Sequence, residues 1–327
     1  MTLRIGTRGS ALAVAQSTTI AERMAAATGE PVELVRVHTE GDRSQGTGES
    51  LSSLGGTGVF ASALRESLLA GECDALVHSL KDLPTAKHPG LVIAATPARA
   101  DARDALCARD GLTLETLPQG ARVGTGSPRR VAQLLARRPD LEVLDIRGNV
   151  DTRLGRVGAD LDAVVLSAAG LGRLGRLGAA TELLGLGWWP SAPGQGSLAV
   201  EVREGERSDE LATALAAVQH DDTRLVVTAE RMVLAGLEAG CAAPIGATAV
   251  IDAGLLLLSA TVYSPQGDRR LSSSHAVTLD AGPLPARLED VDAVSDRVVT
   301  ELLEGGAAEL APLGGGPSGG DAMASAS

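Results

Sequence analysis

The side chains able to do chemistry are gathered in a few short stretches of the chain. "VGTGSPRR", residues 123–130, sets Ser127 as a helix cap and Pro128 at the first helical position. Arg129 and Arg130 then fall in a first turn, where the helix dipole disfavours cations. Such placement needs a compensating anion. The unpaired N–H groups of that helix end favour the same anion, and a guanidinium fork takes a carboxylate or phosphate in bidentate fashion. From this stretch alone, two solvated arginines on a surface helix fit equally well. "DIRGNVDTRL", residues 145–154, repeats the theme with Arg147 on a turn and Arg153 about two helical turns further on. "GTRGS", residues 6–10, adds Arg8 and Ser10 after a first strand. Ligands of open α/β sheets gather at the carboxyl ends of strands, so these arginines outline a polyanion site. "VHSLKDLPT", residues 77–85, places Ser79, Lys81 and Asp82 between an apolar strand and a proline. Asp82 reads either as a turn cap or, beside an arginine-rich cleft, as the carboxylate that holds a cationic intermediate.

Cys241 is the remaining reactive group, set between a glycine and an Ala-Ala-Pro turn in "LEAGCAAPIG". A packed cysteine normally sits inside an apolar periodic run, so this position indicates chemistry rather than packing. It follows a helix C-terminus, whose dipole raises a thiol pKa, so its thiolate depends on nearby cations. Cys73, Cys107 and Cys241 show neither CxxC nor Cys/His spacing and are odd in number, which argues against a disulfide framework or a structural zinc site and for reduced thiols. His38, His78, His88, His220 and His275 form no metal spacing and no nucleophile pair, and take structural readings. The glycine turns "GGTGVF" and "GTRGS" match neither the dinucleotide fingerprint nor the P-loop, so no nucleotide is inferred.

Composition limits the partners. A formal charge of -12 repels nucleic acid and anionic membrane unless positive charge is gathered in one place. No apolar run reaches the ~20 residues of a membrane span, and the N-terminus does not read as a secretion signal, so a cytoplasmic protein is expected. With 44% hydrophobic but only 1% aromatic residues, the cores must be built from Ala, Val, Leu and Ile.

The elements that must position these residues alternate between strand and helix. "LRIGT", a helix from Ala11 to Thr28 closed by Gly29, "VELVRVHT", a helix from Ala61 to Ala70 and "DALVHSL" predict βαβ units around a largely parallel sheet. Residues 41–58, with four Ser and six Gly, form a candidate lid. A second α/β set follows Asp101, with natural crossings near 97–101 and in the Pro/Gly stretch 188–196, and "SLAVEV" is a candidate strand returning to the first sheet. From a helix opened by the capping residues Asp221 and Asp222, the rest reads as strands and a final helix from about Pro285 to Leu303. The expected domains are 1–98 with 197–217, 99–196 and an α+β unit at 218–312, and residues 313–327 read as a disordered tail.

In chain order, "LRIGTRGSALA", "VHSLKDLPT", "VGTGSPRR", "RGNVDTRL", "PGQGSLAVE" and "LEAGCAAPIG" resemble the motifs of the porphobilinogen deaminase (hydroxymethylbilane synthase) family, over nearly the whole chain to about residue 310. The resemblance implies two α/β domains similar to those of periplasmic binding proteins, joined by hinges, and a smaller α+β domain bearing the cofactor cysteine. It implies a dipyrromethane held by Cys241 through a thioether, onto which four porphobilinogen units are condensed with loss of ammonia and then released as hydroxymethylbilane. By motif position it assigns cofactor binding to Ser79, Lys81, Asp82, Thr125, Arg129 and Arg130, substrate binding to Arg8, Ser10, Arg147 and Arg153, and catalysis to Asp82. No metal, nucleic acid or membrane is expected, and the chain is expected to be a monomer. The sequence departs from the family at Thr57, usually Lys, at Gly126, usually Ser, at Pro128, usually Leu, and in the Ala-rich surroundings of Cys241. Two rivals are a small-anion binding module built on the same pair of α/β domains and an acyl-transfer enzyme using Cys241, though no histidine lies in a pairing motif with it.

Overall fold

A computed structural model describes residues 2–37, 58–239 and 243–313. The candidate lid up to Thr57, His38, Cys241 and the C-terminal tail lie outside the described residues.

The first unit opens with β1 (Leu3–Thr7), α1 (Ala11–Thr28) and β2 (Val32–Arg36), followed by α2 (Gly58–Leu69), β3 (Ala75–Ser79) and β4 (Leu91–Ala95). Gly29 ends α1 in the left-handed conformation, as the sequence predicts, and Ser10, read in the sequence as a substrate-binding residue, caps its start by accepting from the Ala13 N–H at 3.3 Å. The second unit holds β5 (Asp104–Ala108), β6 (Arg122–Gly124), α3 (Pro128–Arg137), β7 (Glu142–Leu144), α4 (Val150–Leu154), β8 (Ala163–Ser167), α5 (Ala168–Arg173) and β9 (Glu182–Leu184). The chain then returns through β10 (Leu198–Arg203) and α6 (Asp209–Val218).

The two five-stranded sheets run β2-β1-β3-β10-β4 and β7-β6-β8-β5-β9. β1 is parallel to β2 and β3, but β10 is antiparallel to β3 and β4; β6 is parallel to β7 and β8, but β5 is antiparallel to β8 and β9. In each sheet four strands therefore run the same way and one, β10 or β5, runs against them, so the sheets are largely parallel as expected, with a single reversed strand in each. The reason is the connectivity: β5 and β10 are the strands that follow the two crossings, and each enters its sheet from the neighbouring unit. The crossings lie against each other, with the Ala100 N–H donating to the Gly196 carbonyl at 3.2 Å. Gly196 has φ +85°, and a Cβ there would stand 2.6 Å from the Ala100 carbonyl oxygen, so this contact requires glycine.

The third unit is an antiparallel sheet of β11 (Ile245–Asp252), β12 (Leu255–Tyr263) and β13 (Arg270–Thr278), with α7 (Asp221–Gly236), α8 (Leu284–Glu304) and the short α9 (Ala307–Leu310). Leu225, Val233, Leu256, Leu258, Val291 and Val298 meet in its core. The cap of α7 is not an aspartate: His220 accepts from the Thr223 N–H at 3.1 Å, while Asp221 and Asp222 sit in the first turn, where the dipole favours them. One buried carboxylate on α7 ties both crossings to this unit. Glu230 accepts from Arg99 at 2.7 and 3.0 Å, from the Gly194 N–H at 2.8 Å and from the Ala249 N–H at 2.9 Å.

Candidate active site

β3 ends in a single 3₁₀ turn, Leu80–Asp82, that carries Lys81 and Asp82. Across from it β6 leads through Thr125 to α3, where Ser127 caps the helix and Pro128 occupies its first turn. Between them lies a cavity of about 260 Å³ walled by Lys81, Asp82, Gly126 to Arg130, Gln195 and, from the third unit, Leu234, Ala243 and Ile245. All three units thus meet at one opening.

Arg129 and Arg130 are not solvated surface residues: they are 4% and 6% exposed. The anion that their helix position demands comes from the protein itself. Asp104, fully buried on β5, accepts from Arg129 Nη2 at 2.9 Å, Arg130 Nη2 at 2.6 Å, Trp189 Nε1 at 2.8 Å and Gln195 Nε2 at 2.8 Å. Burial opposes its ionisation, but the two guanidinium groups and these hydrogen bonds hold it well below the usual carboxylate range. Arg129 also donates to the Gln133 side chain at 2.6 Å and the Pro190 carbonyl at 2.9 Å, and Arg130 to the Val165 carbonyl at 3.0 Å. The Nε–H groups of both arginines remain buried with no acceptor among the described residues.

Gln195, on the second crossing, links the two sides of the cavity. Its Oε1 accepts from Lys81 Nζ at 3.2 Å and from Arg130 Nη2 at 3.5 Å, while its amide nitrogen is turned toward Asp104 and the Ala102 carbonyl. Burial, and then the charge of Arg130, lower the Lys81 pKa to about 8. Asp82 is exposed and lines both this cavity and a smaller one of about 50 Å³ shared with Arg8, Gln16 and His78.

The other residues singled out in the sequence do not wall the main cavity. Ser10 is engaged as a helix cap, Ser79 accepts from Gln16 Nε2 at 2.8 Å, and Thr125, almost fully buried, accepts from the Ser127 N–H at 3.3 Å. Arg147 is exposed beside Asp145 at 3.2 Å. Arg153 is half-buried, donates to the Gly148 carbonyl at 2.8 Å, and has its pKa lowered by burial and by the charges of Arg130 and Arg147. Gly126 has a local reason: a Cβ there would stand 2.8 Å from the Ile146 carbonyl oxygen, so the more usual serine would force this segment apart. Cys73 and Cys107 are buried free thiols, and burial pushes both up, Cys107 to about 11. Neither offers an accessible thiolate.

Sequence reasoning missed Asp104, Trp189, Gln195 as a linker, and Arg173. Arg173, at the end of α5 beyond β8, donates to the Gly196 carbonyl at 2.7 Å and has its pKa lowered by burial. Its place after a strand's carboxyl end was the signal that could have found it.

The profile described as "Porphobilinogen deaminase, dipyromethane cofactor binding domain" matches residues 3–210, and "Porphobilinogen deaminase, C-terminal domain" matches residues 224–283. The chain belongs to the porphobilinogen deaminase family. Among similar proteins, the porphobilinogen deaminase of Leifsonia xyli subsp. xyli is 64% identical, covering 96% of this chain and 95% of that protein. That of Micrococcus luteus is 51% identical, over 92% of this chain and 88% of that protein. Among solved structures, the methionine binding protein MetQ has a TM-score of 0.42 at 13% identity, covering 68% of this chain and 91% of that one. The chain is thus an enzyme, a transferase with a dipyrromethane cofactor, and the alternative of a small-anion binding module is not favoured. Among the described residues no helix is long and apolar enough to cross a membrane, and no group of His, Cys, Asp and Glu is placed to hold a metal.

Proposed function

We propose that the cavity between the Leu80–Asp82 turn and the start of α3 is where this porphobilinogen deaminase condenses its substrate, with Cys241 as the thioether anchor of the dipyrromethane. The observation that carries this reading is the pair of buried Nε–H donors on Arg129 and Arg130, which lack acceptors among the described residues beside a cavity walled by Lys81 and Asp82. A dipyrromethane bears acetate and propionate carboxylates, and such donors fit them. Ala243, two positions after Cys241 in the chain, lines the same cavity, while the other two thiols are buried.

When bound, the dipyrromethane would supply the nucleophilic pyrrole carbon that receives the first unit, and the terminal pyrrole of the lengthened chain would serve for each later one. The chain's own residues do the rest. Arg129, Arg130 and Lys81 hold the cofactor's carboxylates, and Ser79 and Thr125 bind the cofactor with them. Arg8, Ser10, Arg147 and Arg153 bind the side chains of the incoming porphobilinogen. Loss of ammonia from its protonated aminomethyl group leaves an azafulvenium cation that keeps its N–H, and Asp82 accepts a hydrogen bond from that N–H and offsets the positive charge. Leu234, Ala243 and Ile245 supply an apolar wall that limits water at this point. After four additions the product is released by hydrolysis as hydroxymethylbilane. We further propose units at 1–98 with 197–217, 99–196 and 218–312, a monomeric state and a cytoplasmic location, in keeping with free buried thiols and a formal net charge of -12.

The test is the intact mass of the purified chain. We expect an excess equal to two deaminated porphobilinogen units, absent in Cys241→Ala, which should keep its fold and lose turnover. Hydroxymethylbilane production by Cys241→Ala would overturn the assignment.

A further inference from the structure

Lys81 and Asp82 sit on one 3₁₀ turn that has little to hold it from within. Ser79, at its cap position, makes no capping side-chain bond. A single backbone bond, from the Leu83 N–H to the Leu80 carbonyl at 3.1 Å, closes the turn. The anchoring comes instead from the third unit. Arg231 on α7 donates through Nη1 to the carbonyls of Leu80 at 3.2 Å and Leu83 at 2.9 Å, and through Nη2 to that of Pro84 at 2.6 Å. Leu80 and Leu83 are buried in the same apolar cluster as Leu225, Val233 and Leu258 of the third unit. The apolar side of the turn is therefore docked on α7 while its polar residues line the cavity.

We infer that Arg231 is a positioning residue for Asp82. It touches neither substrate nor cofactor in this role; it fixes the backbone that carries the carboxylate. The inference rests on the reading of Asp82 given above. Its physical basis is the rigidity of a guanidinium, which presents a planar set of donors and spans three carbonyls at once, where an ammonium has one compact charge on a flexible stem. The arrangement also has a consequence for the reaction. α7 ends at Gly236, five residues before Cys241 in the sequence, so the helix that holds the Asp82 turn belongs to the same unit as the proposed anchor. The Asp82 turn and the third unit should then behave as one body, and an error of about 1 Å in that setting is enough to cost on the order of 100-fold in rate.

A double-mutant cycle on the cofactor-loaded enzyme tests this, with kcat, KM and thermal stability measured for Arg231→Met, Asp82→Asn and the double variant. Arg231→Met keeps much of the stem and removes the fork. We expect its kcat to fall about 10- to 100-fold with KM changed less than about threefold. In the Asp82→Asn background the same change should cost less than about threefold in kcat, because there is no carboxylate left to position. Fully additive losses, or wild-type kcat in Arg231→Met whatever its stability, would overturn the proposal. Wild-type kcat in Asp82→Asn would take down the underlying reading and the proposal with it, whereas a slow Asp82→Asn beside a fast Arg231→Met would overturn the proposal alone. If Arg231→Met does not fold, Arg231→Lys enters the same cycle; it keeps the charge but not the three-carbonyl span, and is expected to show a smaller kcat loss with the same non-additivity.

Discussion

The arginines of α3 and those that follow β7 are one residue type in opposite surroundings. Arg129 and Arg130 are buried, share the carboxylate of Asp104 and are braced by carbonyls from two other segments. Arg147 lies exposed next to an exposed Asp145, and Arg153, half-buried, has a backbone carbonyl as partner. Fixed guanidinium groups cost nothing to reorganise when a carboxylate arrives, which suits the part of the ligand that stays in place. Loosely held ones can follow a chain that lengthens with each added unit. The buried pair should therefore be a structural element as well as a binding one, and the exposed pair a binding element only.

The largest effect should come from the carboxylate under the buried pair. Asp104→Asn leaves two buried guanidinium groups without their counter-ion and should lower unfolding stability by about 3–5 kcal/mol, measured by urea denaturation. A loss under about 1 kcal/mol would remove the contrast between the two pairs. The sign with pH is definite: the Asp104 pKa is depressed in the folded state, so its contribution is complete above the ordinary aspartate range and is lost only as pH falls below it. Arg147→Leu should leave stability within about 0.5 kcal/mol of wild type, as for other exposed positions. It should still lower kcat/KM by the equivalent of about 1–3 kcal/mol, because a substrate carboxylate is left unpaired in the cleft. Wild-type kinetics in that variant would place Arg147 outside the binding surface.

The smallest effect belongs to Lys81, which stands between the two extremes. Its pKa is lowered from 10.5 to about 8, so the cation that carboxylates favour is lost as pH rises through about 8. kcat/KM should decline by roughly two- to fivefold over that step, the range of an accessible ion pair, and Lys81→Met should flatten the profile. Stability should move the other way. The burial penalty on the charged amine is present below about 8 and is relieved as pH rises toward 10.5, because the unfolded chain then binds more protons than the folded one. Parallel changes in affinity and stability would show that another group titrates.

Much of the architecture could be read locally. The glycine that ends α1, the cap of α3, the alternation of strand and helix, and β10 as a returning strand all follow from signals within a few residues of one another. The direction of β5 and β10 could not, because a strand carries no mark of the direction from which its chain enters the sheet. The cap of α7 was misread for a related reason: Asp221 and Asp222 are good capping residues, but the helix starts at Asp221 and the cap is the residue before it, His220.

For the active site the division is sharper. The sequence by itself identified the family, since the residue types and order of "VHSLKDLPT", "VGTGSPRR" and "LEAGCAAPIG" are specific, and it showed that two cations at a helix start favour an anion, with a solvated pair as the equal alternative. Only the tertiary structure decided which anion it was. Asp104 opens the apolar strand "DALCA", 25 residues before Arg129, and Arg231 reaches carbonyls 147 to 151 residues away. Periodicity and capping report the dihedral angles and exposed face of one element, while an ion pair or a carbonyl clamp depends on where separate elements come to lie. That placement is set by the packing of Leu, Val and Ala across three sheets, which many sequences satisfy equally well and which no single stretch records.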